Sequence, residues 1–69
     1  MSLYRLDLSY PDGRVVPVRD PVIGGDYIAY RRDVARGMAR IAAAACQTTV
    51  VCTRIYGAGS MRESFRINP

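Results

Sequence analysis

The chain contains no histidine, no lysine and no tryptophan, and Glu63 is its single glutamate. Histidine is the commonest general acid or base and the commonest metal ligand, so its absence argues against most catalytic and zinc sites. The absence of lysine excludes a Schiff base and the lysine of a phosphate-binding loop. We therefore expect a protein that is not an enzyme, with no metal, no cofactor and no small-molecule substrate.

Long hydrophobic runs are also missing. The longest uncharged apolar stretch is 41–46, whereas a membrane span needs about 20 apolar residues. The first residues show no basic stretch followed by an apolar one, which a secretory signal would require. The length of 69 residues suits a single domain, 1–69, with a thin hydrophobic core. These features predict a one-domain cytoplasmic protein that does not bind a membrane.

The residue that the chain has in excess is arginine. All ten basic residues are arginines, against six acidic residues, so the net charge is +4. Residues 1–33 hold as many aspartates as arginines, and the whole positive excess lies in 34–69. Arginine without lysine is typical of a GC-rich genome, and it also suits a surface that uses the planar guanidinium for bidentate contacts. Such a charge fits an acidic protein partner or a nucleic-acid backbone.

The first twenty residues predict a β-hairpin. Apolar and polar residues alternate over 4–10, which indicates a strand with one buried face. The Pro-Asp-Gly turn at 11–13 leads into a return strand over 14–19. Pro17 cannot donate a hydrogen bond to a sheet, so this second strand should lie at an edge. The aliphatic pair at 22–23, between Asp-Pro and Gly-Gly breaks, should act as an apolar plug.

The middle of the chain predicts one long amphipathic helix. Asp26 is a suitable N-cap for a helix over 27–46. Arg32, Arg36 and Arg40 are four apart and should form an arginine ridge on the solvent side. Apolar residues at spacings of three and four should form the stripe that faces the core: Tyr27, Tyr30, Val34, Met38, Ile41 and Ala45.

The last third predicts a second hairpin. Residues 50–56 are rich in β-branched side chains and carry apolar residues on both faces, which favours a central strand. A glycine-rich turn at 57–60 and a final strand over 61–67 follow. The order ββαββ predicts an α+β fold, in which a four-stranded, mostly antiparallel sheet is covered on one face by the helix.

Two local features suggest chemistry only weakly. Cys46 and Cys52 are too far apart for a CxxC motif, and no histidine is present to complete a zinc site with them. We expect two reduced, buried thiols, with a disulfide or redox pair as the alternative. Gly24 and Gly25 precede the predicted helix and would suit a phosphate, but the carboxylate of Asp26 would occupy that helix end, so we expect a plain hinge.

The arginines supply the candidate binding residues. Arginine and tyrosine are enriched at protein interfaces and among their hot spots, and the same two residue types suit nucleic acid through phosphate contacts and base stacking. The ridge is either a contact surface or a solvated outer face; in the second case the site should lie on the open side of the sheet. The candidate partner-binding residues are Arg32, Arg36, Arg40, Arg54, Tyr56, Arg62 and Arg66.

The hairpin–helix–hairpin order, the small size and the lack of catalytic residues resemble small inhibitors encoded by phages and mobile elements, anti-CRISPR proteins among them. The resemblance lies in architecture over the whole chain and not in a motif. It implies a stoichiometric inhibitor that docks on a bacterial defence complex and blocks its nucleic-acid path or nuclease recruitment. Several such inhibitors are acidic DNA mimics, whereas this chain is basic, so we expect docking on an acidic protein surface. A nucleic-acid-binding module is the alternative.

Overall fold

A computed structural model describes residues 2–57 and 63–69, which form an antiparallel sheet with one helix on one face. The elements in chain order are β1 (Leu3–Ser9), β2 (Val15–Pro17), β3 (Ile28–Ala29), α1 (Arg32–Cys46), β4 (Thr49–Tyr56) and β5 (Ser64–Ile67). The α+β class and the ββαββ order are confirmed, with the two-residue β3 as an addition. In the described part of the chain no helix is long and apolar enough to cross a membrane.

The sheet has the strand order β2-β1-β4-β5, and all of its pairs are antiparallel. β3 shares one edge of β1 with β2: it pairs with Tyr4 and Arg5, whereas β2 pairs further along. β4 lies between β1 and β5, as its two apolar faces predict. Pro17 lies on an outer strand, where the lack of an N–H costs the sheet no hydrogen bond.

The residues that were expected to begin the helix are instead extended. The chain leaves the sheet after β2 and returns as a hairpin, in which the N–H of Tyr27 donates to the carbonyl of Val18 at 2.8 Å. Asp26, the predicted N-cap, forms an antiparallel bridge with Arg19. The prediction of a helix over 27–46 is therefore wrong at its start, because Tyr27 bonds to Val18 and the next two residues pair with β1, which satisfies this backbone better than a solvated helical turn would.

The tip of this hairpin is held by local hydrogen bonds. The Asp20 carboxylate accepts from the backbone N–H groups of Val22 and Ile23 at 2.8 and 3.2 Å. Gly24 takes a φ of 81°, which glycine adopts without strain. Val22 is 89% exposed and Ile23 is 77% exposed. The predicted apolar plug is therefore wrong, since the pair lies in solvent.

α1 packs on the sheet through alanines. Ala35, Ala39 and Ala43 have no solvent exposure, whereas Val34 is 44% and Ile41 is 65% exposed. The predicted buried stripe is therefore wrong for its exposed members, Tyr30, Val34, Ile41 and Ala45, whereas Tyr27 and Met38 are half-buried and pack against the core. Alanines four residues apart let the helix backbone lie close to the strands, so the strands supply the bulky part of the core. The helix ends at Cys46, as predicted.

The core between α1 and the sheet comes from alternate residues of the two central strands: Tyr4, Leu6 and Leu8 of β1, with Val50 and Cys52 of β4. Leu6 lies opposite Cys52 and Leu8 lies opposite Val50, so these side chains share a face. Leu6, Val50 and Cys52 are the largest fully buried side chains. The inward face that period-two alternation predicts for β1 is confirmed.

Candidate functional site

The antiparallel register collects an aromatic and charged group at one end of the helix-covered face. Tyr4 of β1 lies opposite Arg54 of β4. The backbone N–H of Arg54 donates to the carbonyl of Glu63 at 2.8 Å, so Glu63 continues the same row at the start of β5. Phe65 lies in the next row, opposite Cys52. Arg32 and Arg36, in the first turns of α1, complete this group.

Glu63 accepts hydrogen bonds from two elements at once. Its Oε1 accepts from Nε of Arg32 at 3.0 Å and from the hydroxyl of Tyr4 at 3.2 Å. The hydrogen bond from Arg32 is the main cause that lowers the pKa of Glu63, so the carboxylate stays charged. Burial, followed by the charge of Glu63, raises the pKa of Tyr4, which keeps its hydroxyl a neutral donor.

Phe65 lies beneath two guanidinium groups. Cζ of Arg32 is 4.7 Å and Cζ of Arg36 is 5.5 Å from the centroid of the Phe65 ring. The ring of Tyr4 meets Phe65 edge-on, with centroids 6.2 Å apart. Attraction between a guanidinium and the face of an aromatic ring leaves N–H groups that can still donate to an anion.

These residues make a positively charged site, which we call the arginine cluster: Arg32, Arg36 and Arg54 around Glu63, with Phe65 and Tyr4 beneath them. The cluster holds three guanidinium groups and one carboxylate, so positive charge predominates. An open cleft of about 630 Å³ lies beside the cluster, between the start of β1 and the first turns of α1. Its wall also includes Tyr30, which is 63% exposed, and the ion pair of Arg31 with Asp33 at 3.2 Å.

The predicted arginine ridge is divided by the structure. Arg32 and Arg36 belong to the cluster, whereas Arg40 is exposed further along α1 and does not line the cleft. The prediction of one outward ridge is wrong for Arg32 and Arg36. Because α1 buries its alanines, these two arginines border the buried face and reach over Phe65 of β5.

The predicted strand residues are also separated. Arg54 is half-buried on the side of α1, whereas Arg66 pairs with Val51 on the uncovered face and is exposed. The alternative of one site on the open side of the sheet is therefore wrong, because strand alternation places these two arginines on opposite faces. Tyr56 is 66% exposed at the end of β4. Arg62 lies outside the described residues, as does most of the predicted turn at 57–60.

Sequence reasoning missed three residues of the cluster: Tyr4, Glu63 and Phe65. A compositional signal exists for two of them, since Glu63 is the sole glutamate and Phe65 the sole phenylalanine of the chain. Nothing in the local pattern links them to arginines about thirty positions earlier. Only strand pairing and the docking of α1 bring these residues together.

The two cysteines are free and differ in exposure. Cys52 is buried under α1, and its Sγ lies 3.9 Å from the carbonyl oxygen of Ala35. Burial raises the pKa of Cys52 to about 11. Cys46 is exposed at the end of the helix, so the expectation of two buried thiols is wrong for Cys46.

One thiol of the native chain should react with a maleimide at about pH 8, because the thiolate is the nucleophile and Cys52 is both buried and protonated there. Both thiols should react in denaturant. The Cys46→Ala variant should lose the fast reaction, and Cys52→Ala should keep it. Rapid modification of Cys52 in the folded protein, measured by mass spectrometry, would contradict its position beneath α1.

The chain matches no protein-family model, no curated protein and no solved structure. No relative therefore assigns a role to the arginine cluster. Its function has to be inferred from its own contacts and charge.

Proposed function

We propose that the protein is a non-enzymatic binding protein, which docks the arginine cluster on an acidic surface of a partner protein. The observation that carries this proposal is the position of the Arg32 and Arg36 guanidinium groups over the single ring of Phe65. Long side chains that are held in place before binding lose less conformational entropy when the complex forms. The two guanidinium groups are thus prepared for contact.

The geometry favours carboxylates as the groups that the cluster meets. A guanidinium offers two parallel N–H groups, which match the two oxygens of a carboxylate. Glu63 already shows this preference within the chain, where it binds Arg32. Arg36 makes no ion pair among the residues that the structure describes, and it lines the open cleft. An aspartate or glutamate of a partner can therefore approach Arg36 without displacing an internal contact.

Nucleic acid is the second candidate, and Tyr30 is the observation that favours it. Its exposed ring lies in the cleft wall beside Arg31 and Arg32, where a base could stack while a phosphate meets a guanidinium. The carboxylate of Asp33 lies in the same wall and repels a phosphate and a partner's carboxylate alike, so it does not separate the two candidates. We place the protein partner first because nucleic-acid-binding domains usually carry denser basic runs, whereas the longest run here is Arg31 with Arg32.

Docking without chemistry is how a stoichiometric inhibitor acts. The architectural resemblance to anti-CRISPR proteins leads us to propose an acidic surface of a bacterial defence complex as the class of target. This proposal includes a cytoplasmic location, since such complexes act there. The positive charge of the chain suits an acidic target and not mimicry of DNA.

The test compares lysine with arginine at the cluster. A fluorescent peptide rich in aspartate and glutamate and a single-stranded oligonucleotide serve as probes, and fluorescence anisotropy at several salt concentrations measures binding. Arg32→Lys with Arg36→Lys keeps the charge but removes the forked donors, so affinity for the acidic peptide should fall about tenfold or more. If the protein binds the oligonucleotide mainly through charge, the lysine variant should keep its affinity for it. The logarithm of that affinity should fall linearly with the logarithm of the salt concentration.

Arg14 provides the matched control. It also stacks on an aromatic ring, 4.6 Å from the centroid of Tyr10, and it pairs with Asp12, but it lies outside the cluster. Arg14→Lys should therefore leave binding of the acidic peptide unchanged. Wild-type affinity of the Arg32→Lys, Arg36→Lys variant, or an equal loss for Arg14→Lys, would overturn the cluster as the docking site.

A further inference from the structure

The side of α1 that faces away from the sheet carries no charge. At about 100° per residue, its members span an arc of roughly 100° centred opposite the buried Ala39. All are exposed, and together we call them the outer apolar face: Val34, Gly37, Ile41, Ala44 and Ala45. A solvent-facing side of a helix is ordinarily polar, so this composition indicates a surface that another molecule covers.

Charged residues border the outer apolar face on one flank only. Asp33 and Arg40 lie on that flank, seven positions apart, and the opposite flank consists of Met38 and Ala42. The face therefore combines an apolar centre with one acidic and one basic group at opposite ends of the same side. This arrangement is complementary to itself across a two-fold axis.

We infer that the outer apolar face binds the same face of a second copy of the chain, with the two helices antiparallel and the two-fold axis between Gly37 and Met38. In this register Val34 of one copy lies level with Ile41 of the other. A Cβ added to Gly37 would meet nothing within 4 Å in the single chain, so the second helix has open space at the crossing.

Charge complementarity selects this arrangement. The two-fold rotation leaves the charged flanks on the same side, so Asp33 of each copy lies within about 3 Å, measured along the helix axis, of Arg40 of the other copy. Asp33 already pairs with Arg31 at 3.2 Å, and its carboxylate has lone pairs left for a second guanidinium. A parallel pair would put the charged flanks on opposite sides of the interface, where no such contact forms.

The inferred dimer does not use the arginine cluster, although Asp33 also lies in the wall of the cleft beside it. Arg32 and Arg36 lie on the sheet-facing half of α1, more than about 120° around the helix from the centre of the outer apolar face. Both remain open to a partner when the second copy is bound. A dimer would therefore present two arginine clusters, and either inference can fail without the other.

Sedimentation equilibrium over micromolar to sub-millimolar concentrations tests the dimer. The mass should rise from 7.6 kDa towards twice that value. Ile41→Asp and Val34→Asp should raise the dissociation constant at least ~10-fold, because each would bury an unpaired charge at the interface. Val22→Asp is the control, since it alters an exposed aliphatic residue at the hairpin tip. A wild-type chain that stays monomeric, or a dimer indifferent to Ile41→Asp, would overturn the inference.

A charge-swap cycle tests the antiparallel register. Asp33→Arg and Arg40→Asp should each weaken the dimer, and the double variant should restore it. The two residues are about 10 Å apart along one helix, so they cannot contact each other within a chain and the restoration reports contact between copies. A double variant as weak as the single variants would show that the flanks do not meet.

Discussion

Replacing Leu6 with alanine should remove most of the free energy of unfolding and lower the melting temperature by about 10 °C or more. Leu6 has no solvent exposure and lies under α1, opposite Cys52 on the central strand β4. Truncation of a buried leucine costs about 2–5 kcal/mol, because apolar contacts are lost and a cavity remains. Small domains have stabilities near the low end of about 5–15 kcal/mol, so this loss takes most of the total. Far-UV circular dichroism and thermal melting measure the result.

Leu3 on the same strand is the control for this prediction. By strand alternation it lies on the face that α1 does not cover, and it is only half-buried. Leu3→Ala should therefore retain a cooperative melt and the native spectrum. Equal destabilisation by the two variants would mean that β1 does not direct its even-numbered residues to the helix.

Enlarging Ala39 to leucine should have the second largest effect. Ala39 has no solvent exposure and faces the sheet across the close contact that the alanines of α1 permit. The added side chain would force the helix away from β1 and β4, and overpacking of this kind costs about 1–3 kcal/mol. Urea denaturation at low protein concentration should show a lower midpoint with an unchanged slope.

Ile41→Ala separates the observed orientation of the helix from the one that sequence predicts. Ile41 is 65% exposed, so its truncation should change the free energy of unfolding of the single chain by no more than about 0.5 kcal/mol. A buried stripe through Val34 and Ile41 would reverse the two results. Ala39→Leu would then be tolerated and Ile41→Ala would be costly.

The sequence by itself determined the class of the fold, the ββαββ order of its main elements along the chain and several local features. Alternation over 4–10 marked the inward face of β1, because successive side chains of a strand point to opposite sides whatever the partner is. Pro17 marked an edge strand, because proline lacks the N–H that a central position needs. The end of the helix at Cys46 was also predictable, since it depends on neighbouring residues alone.

Tertiary structure decided where α1 begins, which side it buries and which arginines meet. Residues 27–29 are extended because Val18 and β1 offer them backbone partners, which no helical period in the sequence reveals. The helix had two faces suited to burial, and the bulky residues of β1 and β4 left space for alanines only. Arg32 reaches Glu63 and Phe65 across 31 and 33 positions of sequence. The arginine cluster therefore exists only once strand pairing and helix docking have closed that distance.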